Sequence, residues 1–350
     1  MLIQSKGVTF HHRGKATEGY TLFSTIGSDT VRLIDLEGNQ VHQWQTRGGT
    51  TNTNMLLPNG NLWVLERGPN PPPIRVAASG RMCEYDWDGH LIWEHLDDAQ
   101  HHDARRLPNG GAVYLAWRLL DPIATSKVRG GVFGTEHKDG IMGEVICEVD
   151  ASGNLVWEWP ITNLDISKYP LHVNANRECY GHSNTVDVLP DGNYLVSFKT
   201  LNLLVIINRQ TDDLIWTFQD DDLGGQHDAQ MLDNGNILVF ANGMFSRDLT
   251  HSTVWEIDPE NKEVVWKYAA KQNALSFFSS FISGCQRLPS GNTLICEGSK
   301  GCLFEVTPNC DVVWEYVNPY TIQNPKFGET NWIFRSRRYM PDSLELKGRV

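Results

Sequence analysis

The feature that most constrains this chain is that it repeats itself six times. An apolar strand, a turn and a second strand closing on tryptophan recur as "VRLIDLEGNQVHQW", "CEYDWDGHLIW", "CEVDASGNLVW", "VIINRQTDDLIW", "VWEIDPENKEVVW" and "LFEVTPNCDVVW", which end at Trp44, Trp93, Trp157, Trp216, Trp266 and Trp314. A second phrase alternates with the first: "MLLPNGNLWVL", "RRLPNGGAVYL", "DVLPDGNYLVS", "QMLDNGNILVF" and "QRLPSGNTLIC". Its Asn-Gly, Asp-Gly and Ser-Gly steps supply positive φ, and proline presets the turn entry in most copies, so each phrase encodes a hairpin.

Two alternating hairpins make four short strands per unit of roughly 50 residues. That period predicts an all-β fold, a six-bladed β-propeller with four antiparallel strands per blade, built as one domain over residues 1–350. Complete units run from about residue 51 to 318, with fragments left at both ends. "YTLFST" and the Trp44 hairpin lack an innermost strand, and "NWIFRSRRYMPD" looks like an innermost strand without a blade. Residues 331–340 are therefore expected to complete the N-terminal blade, closing the ring without an open edge. Two insertions, 118–143 and 160–180, are too long for plain connections and are expected near the channel mouth as walls.

Composition narrows the partners. With 42 acidic against 30 basic residues the formal net charge is -12, and no Lys/Arg-rich block interrupts it, which argues against nucleic acid. An anionic substrate must be held by a local basic site against the average field. The opening residues contain no secretory apolar run and nothing later approaches a membrane span, so a cytoplasmic protein without a membrane partner is expected. The cysteines at 83, 147, 179, 285, 296, 302 and 310 include no CxxC pair and mostly sit in apolar runs such as "TLICEG", which reads as reduced core thiols. There is no GxSxG, no phosphate-cradling glycine loop and no defensible Ser-His-Asp order.

In a propeller the first strand of each blade runs beside the central axis. Counting back five residues from each turn leucine gives Asn52, His102, Asn184, His227 and Ser283, and His182 shares a face with Asn184 by the strand period of two. His102, His182 and His227, from three blades, are thus expected at one channel mouth. Asp103 and Asp228 should point away from the adjacent histidine's direction, either to orient an imidazole of a neighbouring blade or to bond the backbone. His11, His12, His101 and His172 fall outside the repeat phase and are expected in surface or loop roles. A neutral imidazole suits nucleophilic attack, proton transfer or metal ligation.

The segments "HHDARRLPNG", "GHSNTVDVLPDGNYLVSFK", "GGQHDAQML" and "FISGCQRLPSGNTLICEG" resemble the arylsulfotransferases (arylsulfate sulfotransferase type), which are six-bladed propellers. The resemblance implies transfer of a sulfuryl group from a phenolic sulfate ester to another phenol through a sulfohistidine, without a nucleotide donor or other cofactor. It carries the nucleophile to His227 in "QHDAQ" and sulfate binding to His102 in "HHDA" and His182 in "GHSN", with Asn184 beside them. Lys199 in "SFKTLN" stands where the family usually has arginine, and a point charge there replaces a planar fork. Asn52, Ser283 and Arg335 complete the expected substrate-binding set, and the partners are then an aryl sulfate and a phenol. Two other readings remain open at this stage. His102, His182 and His227 could hold a divalent metal for a lyase or hydrolase acting on an anionic sugar or lactone, or the ring could be a non-catalytic scaffold whose rim binds a protein.

Overall fold

The computed structural model describes residues 5–70, 72–246, 249–271 and 273–350. Six antiparallel sheets follow one another as blades. Blade 2 comprises Thr50–Leu56, Leu62–Arg67, Gly80–Tyr85 and Leu91–Leu96, and blade 3 comprises Gln100–Arg106, Ala112–Leu119, Met142–Val149 and Leu155–Pro160. Blade 4 runs from Ser183–Val188 to Leu214–Gln219, blade 5 from His227–Met231 to Glu263–Tyr268, and blade 6 from Gly284–Arg287 to Val312–Val317. Blade 1 is built from Tyr20–Ser24, Thr30–Ile34 and Gln40–Gln45, and its innermost place is taken by the C-terminal strand Arg337–Tyr339. That strand is shorter than the sequence suggested, because residues 331–336 leave the ladder to enter the channel region. An unexpected fifth strand, Gly7–His11, adds to the outer edge of blade 6.

Local sequence explains the layers. The middle strands are buried on both faces between neighbouring blades, so Leu203–Ile207 and Ile237–Ala241 read as unbroken apolar runs, "LLVII" and "ILVFA". The outer strand Leu91–Leu96 alternates between partly buried and exposed positions, as a half-covered strand should. The repeated tryptophan has a common task. Each indole Nε1 donates a hydrogen bond to the outer turn of the following blade: Trp44 to Asp86 O (3.0 Å), Trp93 to Ala151 O (2.9 Å), Trp157 to Asp212 Oδ1 (2.8 Å), Trp216 to Pro259 O and Trp266 to Pro308 O (2.8 Å each). Trp314 of blade 6 donates to Leu36 O of blade 1 at 2.8 Å. A side chain with one apolar body and one donor suits a seam between sheets.

The two insertions pack on each other and on blades 3 and 4. Gly130–Val132 pairs in parallel with Leu171–Asn176, and Leu120, Ile141, Leu164, Ile166 and Leu171 join one buried apolar cluster with Val196 and Leu203. Neither helix-rich nor lid-like, they contribute one short helix, Pro122–Lys127. Among the described residues no helix is long and apolar enough to cross a membrane. All seven cysteines are free thiols, and all but Cys310 are buried.

Candidate active site

The innermost strands are where the regular pattern breaks. Their pairing registers slip at Thr50/Asn54, His101/Ala104, Ser183/Thr185 and His227/Gln230, each time with the extra residues on the inner strand. Several of these residues hold left-handed backbone: His102 (φ 50°), His182 (φ 50°), Asp228 (φ 56°) and Ser283 (φ 87°). Such conformations cost a non-glycine residue about 1–2 kcal/mol, and they gather where side chains must be re-aimed.

The bulges bring His102, His182 and His227 to the wall of one cavity of about 730 Å³, together with Lys199 and Asn52. The His102 and His182 rings are 4.7 Å apart between centroids, and Phe334 lies 6.3 Å from His102 and 6.1 Å from His227. Asn52 faces the cavity while its amide donates to Ala77 O at 2.8 Å, which ties down the loop forming one side. Residues 67–70 and 72–79 and the segment from Asn324 to Phe334 supply most of the remaining wall; the closing segment expected at 331–340 overlaps the second, whereas the first carries no repeat signal. Conversely, no residue of 118–143 or 160–180 lines the cavity, because their apolar side chains are consumed in packing on blade 4.

Three of the expected substrate-binding residues lie elsewhere. Asn184 is buried with its amide donating to Gln226 O at 2.7 Å, since the Ser183/Thr185 bulge breaks the alternation that would have put it beside His182. Ser283 Oγ accepts from Gly298 N at 2.9 Å. Arg335 is fully buried beneath the histidines, with Nη1 3.2 Å from Asp103 Oδ2 and 3.3 Å from Asp228 Oδ1. Asp103 also pairs with Arg105 and accepts from Thr53 Oγ1 at 2.6 Å and Val186 N at 3.1 Å; Asp228 takes both nitrogens of Arg337 at 2.7 and 2.9 Å and accepts from Cys285 N at 2.9 Å. The two aspartates therefore bond arginines and backbone, and orient no imidazole. Burial alone would raise Asp228, but Arg335 and Arg337 outweigh it and hold the carboxyl far below its usual range.

His101 is the largest correction. Far from a surface role, it is fully buried, stacks on Trp117 at 3.8 Å between centroids, and places Nδ1 2.7 Å from His102 Nδ1 and Nε2 3.0 Å from Glu144 Oε2. His172 lies on the insertion strand Leu171–Asn176, stacked on Phe245, and His12 is exposed. The out-of-phase doublet "HH" and a lone glutamate opening the buried strand "MGEVICEV" were the available signals.

The ring nitrogens facing away from the cavity have distinct partners. The Asn242 amide donates to Ser279 O at 2.7 Å and Ile282 O at 2.9 Å, which fixes its orientation and leaves Oδ1 facing His227 Nδ1 at 2.7 Å. An amide oxygen only accepts, so His227 carries its proton on Nδ1 and keeps a lone pair on Nε2. Burial, then Lys199, drags the His227 pKa down to about 3. Burial and the neighbouring cations and imidazoles likewise hold His102 and His182 well below 6.5. His182 Nδ1 lies 3.3 Å from the Cys179 sulfur, whose own titration burial pushes far upward. Lys199, lowered by burial, has no carboxylate partner among the described residues.

No aspartate or glutamate lines the cavity among the described residues, whereas Lys199, Arg67 and Arg75 do. Its apolar wall includes Phe281, Phe327, Trp332 and Phe334. In a chain of net charge -12 this is a locally basic pocket with aromatic walls. The three histidines do not form a group whose ligand atoms all lie within 4.8 Å of one another; among the described residues that spacing occurs at Asp86, Asp88 and His90, on an outer turn. The three histidines therefore do not have the spacing of a preformed three-ligand cluster.

Sequence comparison agrees over most of the ring: residues 80–319, which include His102, His182 and His227, match the arylsulfotransferase (ASST) family. The chain belongs to that family. This membership supports a sulfotransferase-type function for the arylsulfotransferase-like ring described above. No curated protein matches the chain. Among solved structures it is similar to a protein of unknown function from Bacteroides caccae (16% identity, TM-score 0.58, covering 92% of this chain and 99% of that one). It is also similar to a streptogramin B lyase (10% identity, TM-score 0.51, covering 97% and 96%). At such identities the likeness is one of fold.

Proposed function

We propose that this protein is a nucleotide-independent sulfotransferase that moves a sulfuryl group from an aryl sulfate to a phenol, with His227 as the nucleophile. The observation that carries the reading is the pairing of an unprotonated His227 Nε2, fixed by Asn242, with a carboxylate-free aromatic cavity holding Lys199. In the first half-reaction the Nε2 lone pair forms an N–S bond while the S–O(aryl) electron pair leaves with the phenol oxygen. The proton stays on His227 Nδ1, donated to Asn242 Oδ1, so the adduct is a sulfo-imidazolium, a reactive donor for the second phenol. Lys199 offsets the charge spread over the sulfuryl oxygens, and His182 donates to them from Nε2 when the Cys179 thiol donates to its Nδ1. His227 must be neutral for the attack, and burial keeps it so.

The test is direct. Incubated with 4-nitrophenyl sulfate, the protein should release nitrophenol in a burst and carry a sulfuryl adduct on residue 227, read by mass spectrometry. Lys199→Met should lower kcat/KM by about 10²- to 10³-fold, and Lys199→Arg should retain most of it. Absence of both burst and adduct removes the proposal.

A further inference from the structure

Each cavity histidine spends one ring nitrogen on a different partner, and the partner decides whether that ring can pass a proton on. Asn242 cannot take a proton from His227. His102 Nδ1 instead meets another imidazole, His101 Nδ1 at 2.7 Å, and His101 Nε2 lies at ion-pair distance, 3.0 Å, from Glu144 Oε2 without the geometry of a hydrogen bond. All three side chains are buried.

Glu144 differs from the other glutamates of the repeat. Glu84, Glu148, Glu256 and Glu305 each pair with an arginine: Arg106 (2.8 Å), Arg209 (2.5 Å), Arg287 (2.6 Å) and Arg338. Glu144 has no arginine. Its Oε2 accepts from Ser183 Oγ at 2.5 Å, and its Oε1 is buried without a partner among the described residues. The ion-pair partner at this carboxylate is His101 instead of an arginine.

We infer that Glu144, His101 and His102 form a proton relay in which His102 protonates the departing phenol oxygen and recovers the proton from the acceptor. The inference rests on the sulfuryl-transfer reading above and deepens it. Before transfer, His101 is an imidazolium against Glu144 and donates Nδ1–H to His102, whose Nε2–H faces the cavity. As the S–O bond breaks, His102 Nε2–H passes to the leaving oxygen and His101 Nδ1–H passes to His102 Nδ1. The relay is left with neutral His101, its Nε2–H toward Glu144, and a lone pair on His102 Nε2. When the second phenol attacks the sulfo-imidazolium, its proton enters at His102 Nε2 and the Nδ1 proton returns to His101. One proton leaves and one returns per cycle, and no co-reactant is needed. The other charged and titratable groups facing His102 are His182, His227 and Lys199, all of which disfavour a lasting cation on His102 itself. The charge is therefore stored one residue back, where Glu144 can balance it. His102 is a catalytic residue on this account; His101 and Glu144 are positioning residues that act through it.

The experiment compares leaving groups. Phenyl sulfate needs a protonated leaving oxygen and 4-nitrophenyl sulfate scarcely does. Glu144→Gln should lose about 10²-fold or more on the first and change little on the second, with the adduct on His227 still formed. His101→Gln, an independent variant in case the first fails to fold, should show the same split. Equal losses on both substrates would mean a purely structural role and overturn the relay, as would a steep dependence of the unaltered protein's rate on phenol acidity. A readout free of turnover separates this from failure of sulfuryl transfer: ¹⁵N-histidine NMR of the unaltered protein should show one proton shared by the Nδ1 atoms of His101 and His102, with His101 the more protonated ring. A spectrum in which both rings are neutral and uncoupled sinks the relay even if transfer is observed. A shared proton without any His227 adduct leaves the relay standing and removes the substrate assignment.

Discussion

Twice the chain writes a histidine followed at once by an aspartate, at His102-Asp103 and His227-Asp228, and the two members of each pair end in opposite settings. The aspartates drop to the channel floor, where Arg105, Arg335 and Arg337 compensate them and backbone N–H groups fill the remaining lone pairs. The histidines turn to the cavity, where Lys199, Arg67 and Arg75 meet no lining carboxylate among the described residues. Paired charge fixes the ring from inside, and on the proposed function the basic cavity is where a substrate anion binds.

The largest effects should come from exchanging these roles. His227→Asn is expected to remove sulfuryl transfer by at least about 10³-fold with an unchanged urea midpoint, since nothing on the floor depends on it. Arg335→Met should do the reverse at the level of the fold, costing about 3–5 kcal/mol because two buried carboxylates lose a shared cation. The sign with pH follows from Asp228, whose folded pKa is depressed: its contribution is present above about 4 and fades as pH falls. The Arg335→Met deficit in urea unfolding should therefore shrink in acid, where a protonated carboxyl no longer needs the guanidinium. A variant equally destabilised at all pH values would show that Arg335 acts by packing alone.

The blades and their order were legible because hairpin chemistry is local: Asn-Gly turns, apolar alternation and a tryptophan at a fixed offset each act within a dozen residues. The convergence of His102, His182 and His227 was legible as well, once the ring was assumed. What the strand period could not supply was the bulge. By counting in twos, Asn184 and Ser283 belong in the cavity, and left-handed residues at His182 and Ser283 take them out of it. Arg335 was placed near the site, yet whether a cation faces a ligand or two aspartates depends on chain 230 residues away in the fold's closing contact. His101 and Glu144 were missed because their relation is cross-strand: Glu144 pairs with Trp117, on which His101 stacks.

A smaller effect sharpens the comparison through proton uptake. His102, His182 and His227 are neutral in the fold, with folded pKa values below the ordinary 6.5, so the unfolded chain binds more protons than the folded one as pH drops below about 6.5. Stability should then be fully present above that value and decline in acid by up to about 4 kcal/mol per pH unit, three protons' worth. His182→Gln should flatten the slope between pH 5 and 6 by about 1.4 kcal/mol per pH unit. An unchanged slope would mean that His182 is already protonated in the fold.

The smallest expected effect concerns the seams. Trp314 is fully buried and donates to Leu36 O across the boundary between blades 6 and 1, while Trp93, making the equivalent bond to Ala151 O, is only partly covered. Phenylalanine keeps much of the apolar body and deletes the donor. Trp314→Phe should cost about 1–2 kcal/mol, the loss of a part-buried hydrogen bond, and Trp93→Phe less, because its bond is exposed and water can reach the freed carbonyl. Urea midpoints at fixed m-value would measure both. If the two variants lose equally, burial of the seam is not what makes the indole donor matter, and the six tryptophans hold their blades by contact area alone.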